Sequence, residues 1–421
     1  HMVTALIIFI ITYALLLLFP KYRAYIALAS AIIFIIIGLP FNEAINAIDL
    51  NVIMMIAGTM GIVSLFIESK MPSLLADLII SKMPNVKWTI ISLALFAGII
   101  SAFVDNVATV LMVAPVALTI SKKLKISPVP SIIAIAISSN LQGAATLVGD
   151  TTSILLGGHA GLDFLDFFFL EGKPGMFWVV QLGAVASTFV LAYVFRKYKQ
   201  PIEVGERTVV KSYFPSVLLV GMVVLLIIAS FLKNMPNEIN GYICVGLFII
   251  GLVWKLIKVK SIKEALQTLK DIDYFTLLLL AGLFVVIEGI SKAGVIGEIS
   301  KLLSSIGNGN VFLVYTIIVW ASVLLSAFID NIPYVATMLP VVGTIAMSLG
   351  INPYLLYFGL ISGATLGGNL TPIGASANIA AIGILRKEGY EVSAKQFMKL
   401  GVPFTLAAVS VGYLLIWFLW K

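Results

Sequence analysis

Charge is scarce in this 421-residue chain: Asp, Glu, Lys and Arg together make up 11% of it, less than half the share of an ordinary soluble domain. With 60% hydrophobic residues and a mean hydropathy of +1.09, that scarcity excludes a soluble globular domain and implies a polytopic membrane protein. Cysteine is nearly missing. Cys244 stands alone, so no disulfide can form within the chain and a thiolate-rich metal site is excluded. There is no Walker loop, zinc motif or nucleophile constellation, which leaves an ATP-driven pump or an intramembrane enzyme without support. The net charge of +7 does not argue for nucleic acid, because in a membrane protein the placement of Lys and Arg reports topology.

What the chain has is a repeat. Ser101-Ala-Phe-Val-Asp-Asn-Val-Ala-Thr-Val-Leu-Met-Val-Ala-Pro115 returns 225 residues later as Ser326-Ala-Phe-Ile-Asp-Asn-Ile-Pro-Tyr-Val-Ala-Thr-Met-Leu-Pro340. The same offset carries Gly143 onto Gly368, Thr146 onto Thr371, Gly149 onto Gly374 and Ser153 onto Asn378, and an offset of 224 carries Asp49 onto Asp273 and Ala57-Gly58 onto Ala281-Gly282. One unit has been used twice, as residues 1–200 and 213–421, joined by a charged linker at 201–212. Units this long are the halves of a transporter, not turns of a solenoid.

Apolar runs of spanning length occupy 3–19, 24–39 and 51–67, then 176–195, 214–232, 239–257, 274–290 and 402–420, with interfacial segments expected at 72–83 and 392–399. The first run has no small-residue cleavage site and reads as a membrane helix, not a secretory signal; His1-Met2 reads as an expression remnant. The runs at 88–120 and 311–348 are too long for one crossing and too short for two, so each is expected to be a re-entrant hairpin with Asp-Asn at its tip. Those at 128–157 and 353–385 are apolar at both ends and rich in Gly and hydroxyl residues between, the pattern of an interrupted helix lining a protein cavity. With hairpins that return to the side they entered, 22 of the 27 Lys and Arg residues fall on one face. The positive-inside rule makes that face cytoplasmic, puts the N-terminus outside, and makes the repeats inverted. A prokaryotic cytoplasmic membrane is the expected location.

Asp105 and Asp330 lie inside apolar runs, where a carboxylate costs several kcal/mol by order of magnitude. With Asn106, Asn331 and Asp150 they are the candidate coupling-ion groups. As plain helix N-caps they would instead stay ionised and take no part in transport. Thr146, Thr151, Thr152, Ser153, Asn369, Thr371, Ser376 and Asn378 offer uncharged oxygens for a solute. Gly143, Gly149, Gly368, Pro372 and Gly374 interrupt the helices. Glu288 reads as interfacial, and His159, in a Gly-rich stretch, as structural. No cofactor is expected beyond Na+ or a proton as coupling ion.

Asp-Asn-Val-Ala-Thr at 105–109, Asp-Asn-Ile-Pro at 330–333 and Gly-Asn-Leu-Thr-Pro-Ile-Gly-Ala-Ser-Ala-Asn at 368–378 resemble the ion transporter superfamily, most of all its arsenite-efflux permease and P protein branch. The superfamily also holds D-type sodium/proton antiporters and divalent-anion/sodium symporters. The symporters carry Ser-Asn-Thr at their tips, where this chain has Asp105-Asn106-Val107 and Asp330-Asn331-Ile332, so added negative charge argues against a dicarboxylate. The resemblance implies an all-α elevator-type carrier, a homodimer, that moves a small inorganic solute such as arsenite or antimonite with H+ or Na+. A sodium/proton antiporter and an anion channel are the alternatives.

Overall fold

The computed structural model describes residues 1–202, 205–232 and 234–421 and is almost wholly helical. The first half contains α1 (Met2–Leu18), α2 (Arg23–Ile36), α3 (Phe41–Ala47), α4 (Leu50–Glu68), α5 (Met71–Ile80), α6 (Val86–Ser101), α7 (Asn106–Leu124), α8 (Val129–Gln142), α9 (Thr151–Ala160) and α10 (Met176–Val194). The second contains α11 (Phe214–Phe231), α12 (Ile239–Val259), α13 (Ile262–Gln267), α14 (Tyr274–Lys292), α15 (Val295–Ile306), α16 (Val311–Ser326), α17 (Asn331–Leu349), α18 (Tyr354–Gly367), α19 (Ser376–Lys387) and α20 (Ala394–Trp420). A two-stranded hairpin, β1 (Phe169–Leu170) with β2 (Lys173–Pro174), is the sheet among the described residues. Eight helices, α4, α7, α10, α11, α12, α14, α17 and α20, are long and apolar enough to cross a bilayer.

The same local devices start and stop helices in both halves. Asp49 accepts from Val52 N–H and Asp273 from Thr276 N–H; Asn85 accepts from Trp88 N–H and Asn310 from Leu313 N–H, each satisfying a donor that the first turn leaves free. At helix ends, Lys125 and Gly350 both take the left-handed conformation. Packing is exchanged between the halves: α2 lies along α14, and α12 along α4. Small residues permit the approach, since a Cβ at Gly58 would lie 2.4 Å from the backbone of Cys244, and one at Gly282 2.7 Å from that of Ala27. In a bilayer, where lipid is as apolar as a side chain, such close contact is what holds helices together.

Contacts at the helix ends sort the chain into two ends of one bundle. Val86 N–H donates to Gln200 C=O at 2.9 Å and Lys87 N–H to Tyr198 C=O at 2.8 Å, so α6 starts where α10 finishes. Lys122, in the last turn of α7, pairs with Glu388 at 2.7 Å, between α19 and α20. Both arms of the first helical hairpin therefore open on the end where α10 stops and α20 begins. The second hairpin opens the other way: Phe312 stacks edge-on to Trp417 at 4.8 Å, and beyond α17 Tyr354 meets Trp420 at 5.8 Å.

Three expectations need correcting. First, α7 and α17, the second arms of the expected hairpins, are each long and apolar enough to cross a bilayer alone. Second, the runs 3–19 and 24–39 form shorter helices that reach that length only together, bent by 115°. Third, the last interfacial segment is not separate from the last span. The interfacial segment 392–399 and the span 402–420 form a single helix, α20, with Pro403 inside it. Gly401 lies against the Asn369 carbonyl, where a Cβ would come within 2.4 Å, and Phe397 and Phe404 are buried on either side. Packing along this face holds the helix through a proline that removes one hydrogen bond and crowds the carbonyl one turn back. Of the linker, positions 203–204 fall outside the described residues; Thr208 donates through N–H and Oγ1 to Asp77 Oδ2 at 2.8 and 2.5 Å.

Candidate functional site

Where each helix is interrupted, its chain folds back on the turn of the hairpin beside it. Thr146 donates to the Ala102 carbonyl, and Thr371, its counterpart, to the Ala327 carbonyl. Ser153 donates to Gly143 C=O at 2.8 Å; Asn378 repeats that bond to Gly368 C=O at 2.9 Å and adds one to Thr371 C=O at 3.1 Å. Backbone passes so close to backbone that a Cβ on Gly149 would lie 2.6 Å from the Gly143 oxygen, and one on Gly374 2.5 Å from the Gly368 oxygen. Gly143, Gly149, Gly368 and Gly374 thus sit where the sequence predicts the breaks, with Pro372 half-buried between the last two.

The two breaks are joined across the molecule by amides. Asn140, near the end of α8, donates to Asn369 Oδ1 at 2.8 Å and to Asn378 Oδ1 at 2.9 Å, and accepts from Asn106 Nδ2 at 3.3 Å. Asn106 also accepts from Ser101 Oγ at 2.5 Å, and Asn369 donates to Ile137 C=O at 2.9 Å. Thr152 meets Thr365 at 3.2 Å. Thr146, Thr152, Ser153, Asn369, Thr371 and Asn378 are all buried and spend these bonds on the protein itself. In this conformation they brace the breaks.

Asp105, Asp150, Thr151 and Thr59 line one partly open cavity of about 30 Å³ between α4, the first hairpin turn and the first break, with Ile56, Met60, Val63 and Phe103 on its apolar side and Asp105 exposed. That is room for a water or a small ion. Asp105 accepts from Ala108 N–H at 3.1 Å and Asp150 from Thr151 N–H at 2.7 Å, so each also caps a helix that begins at the cavity. Two carboxylates facing one small space repel one another, and a cation or a proton between them removes the repulsion. The second half is arranged differently: Asp330 caps α17 through Ile332 N–H at 3.1 Å and is ion-paired with Arg23 from the start of α2. Asn331 is half-buried and Ser376 is exposed.

A family described as citrate transporter matches residues 7–360. The chain belongs to that family. Among curated proteins it is 29% identical to a 46 kDa membrane protein of Mycobacterium leprae, over 99% of this chain and 98% of that one. It is 30% identical to an uncharacterized transporter of Mycobacterium tuberculosis over the same shares. The human P protein is 28% identical over 89% of this chain and 54% of its own length, in keeping with the superfamily resemblance drawn from the motifs. Among solved structures, the Alcanivorax borkumensis YdaH transporter superposes with a TM-score of 0.61 at 13% identity, covering 94% of this chain and 96% of that one. Neisseria gonorrhoeae MtrF does so at 0.57 and 14%, over 89% and 82%; at such identities the likeness concerns the fold alone. This citrate transporter family member is a multi-pass membrane transport protein.

Five contributors were not among the residues singled out from sequence. Asn140 lies in a stretch whose polarity is visible, yet its partners are 229 and 238 positions away. Gln142 and Gln181 exchange amide bonds at 3.0 and 2.7 Å between α8 and α10. Thr59 reads as one hydroxyl in an apolar span. Arg23 reads as a topology-setting charge, and nothing in its local sequence points to Asp330. His159 packs edge-on against Tyr357 at 5.6 Å, at the C-terminal end of α9.

Proposed function

We propose that this transporter is a secondary carrier in which a coupling cation, Na+ or a proton, occupies the space between Asp105 and Asp150 while a small polar solute is held at the paired breaks. The observation that carries the reading is the pair of carboxylates facing one ion-sized cavity beside a helix interruption. Helix N-termini and unwound backbone at such an interruption supply dipoles and carbonyls for both ligands. The hairpins and broken helices pack on one another, α2 packs with α14 and α4 with α12, and α4 and α14 meet the first group along one face. That division suits an elevator motion of the first group against the second, in an inverted-repeat carrier. The central polar groups, Asn140, Asn369, Asn378, Thr152 and Thr365, are uncharged, which favours a neutral hydroxyl-rich inorganic solute of the arsenite type. The family's description supports citrate as the second reading. A sodium/proton antiporter would use the Asp105–Asp150 cavity alone.

The test is a separation of coupling from binding in proteoliposomes. Asp105→Asn and Asp150→Asn are expected to lose solute accumulation driven by a cation gradient, at least tenfold below wild type, while solute–solute exchange persists. Gradient-driven accumulation at wild-type level in both variants would remove the cavity from the mechanism. Sodium-driven internal alkalinisation without any solute would select the antiporter reading, and flux that needs no gradient and saturates with none would select a channel.

A further inference from the structure

The two halves offer unequal carboxylate sites: Asp150 has Ala375 as its counterpart, so the second half brings Asp330 without a second carboxylate from its break. Asp330 uses both oxygens within the protein: Oδ1 accepts from Ile332 N–H at 3.1 Å, and Oδ2 is paired with Arg23 Nη1. Both side chains are only about a quarter exposed, at 25% and 26%. The guanidinium is fixed from behind, since its Nε donates to Pro20 C=O at 3.1 Å. An arginine stays charged at every accessible pH, so this counter-charge does not come and go with protons.

Among the described residues no Lys or Arg is paired with Asp105 or Asp150, and the helix packing shows what stands in the place of Arg23. Gly58 rests on Cys244–Val245 as Gly282 rests on Ala27–Leu28, and Leu65 fills the space at Gly251 as Phe34 fills that at Gly289. Both pairs agree on an offset of 224 between α4 and α14, and of 217 between α2 and α12. The shift that takes Ala27 to Cys244 and Phe34 to Gly251 takes Arg23 to Asn240. Asn240 is buried, uncharged, and its Oδ1 has no protein partner among the described residues. Where the second half has a fixed cation, the first has an amide and an open ion-sized cavity at Asp105 and Asp150.

We infer that Arg23 is a tethered cation that takes, beside Asp330, the place a free monovalent cation takes between Asp105 and Asp150, leaving the carrier one exchangeable cation site. This rests on the coupling-site reading above, and the test separates the two. Full-length protein purified in detergent is melted with choline chloride replaced by sodium chloride at constant ionic strength and pH 8, and in choline between pH 8 and pH 6. Arg23→Gln is expected to gain a sodium- or acid-dependent rise in melting temperature, on the order of 3 °C beyond the wild-type response, as a newly opened site binds its ligand. The gain should vanish in Arg23→Gln/Asp330→Asn, and Arg23→Lys should behave as wild type. Asp330→Asn alone should keep the wild-type response, because Arg23 already excludes the free cation there.

A response of Arg23→Gln equal to wild type, a gain that survives in the double variant, or loss of the wild-type response in Asp330→Asn would each overturn the inference. A gain in Arg23→Gln beside a wild-type response indifferent to Asp105→Asn would uphold Arg23 as the tethered cation and discard the coupling role of Asp105. The reverse pattern would discard Arg23 alone. If Arg23→Gln does not fold, the Asp330→Asn arm still decides.

Discussion

Asn140 joins the two interrupted helices through one side chain. Its amide serves Asn369 and Asn378, both fully buried, so replacing it leaves two acceptors without donors in a site that water does not reach freely. A lost buried hydrogen bond costs about 1 kcal/mol, and an acceptor left unpaired raises the cost toward about 3. Asn140→Leu should therefore destabilise the protein by roughly 2–4 kcal/mol, seen as a lower melting temperature in detergent; an unchanged melting point would mean the amides are paired some other way. Outside the membrane-spanning segments, burial in the 163–175 loop and the neighbouring Asp163 push Asp166 up to about 6, although the Asp163 N–H bond to its carboxylate pulls the other way. With its pKa raised in the folded state, Asp166 holds its proton between about pH 4 and 6, where the unfolded chain releases it. Stability should thus fall as pH rises through that window, and Asp166→Asn should flatten the slope of melting temperature against pH. Neither residue stands out in the sequence: a lone Asn in a Ser- and Gln-rich stretch and an Asp in an acidic loop look ordinary until distant partners are in place.

At the scale of elements, the interruptions are the most legible feature, because Gly and Pro cannot be packed into a long apolar run without purpose. Gly149 and Gly374 are where two stretches of backbone touch, and a methyl group there meets carbonyl oxygens at 2.6 and 2.5 Å, which cannot swing aside as a side chain would. Gly374→Ala and Gly149→Ala are expected to lower stability by several kcal/mol, about 3 or more, and to abolish transport. Wild-type transport and melting temperature in either would show that the break yields more easily than its packing implies. The hairpin turns were legible from the repeated Asp-Asn, and each Asp does cap the following helix. The end of the chain was not legible: Gly401 and Pro403 look like a boundary, yet α20 runs through both. What sequence lacks there is the Asn369 carbonyl, which makes Gly401 a point of contact between helices.

Over the whole molecule, the 225-residue offset was readable in the sequence, and the consequences of the departures from it were not. The matched pairs, Asp49 with Asp273, Asn85 with Asn310, and Thr146 with Thr371, do matched work. The departures set the charges of the two halves apart. Asp150 has Ala375 as its counterpart, so the second break has no carboxylate, and Arg23 has Asn240, so the first carboxylate has no guanidinium. The solute was beyond sequence for a related reason: the amides and hydroxyls named from motifs are engaged with one another in this conformation, and their pairing depends on side chains more than 200 positions apart. The central claim, a carrier driven by a cation held between Asp105 and Asp150, is tested most directly by solute accumulation in proteoliposomes. Labelled arsenite and citrate are offered under an inward Na+ gradient, an inward H+ gradient, or none, with wild type beside Asp105→Asn. The account predicts that one solute is concentrated above its outside level by one gradient, that an ionophore collapses the accumulation, and that the variant equilibrates without concentrating. Equal, merely downhill entry under all three conditions, unchanged in the variant, would contradict it.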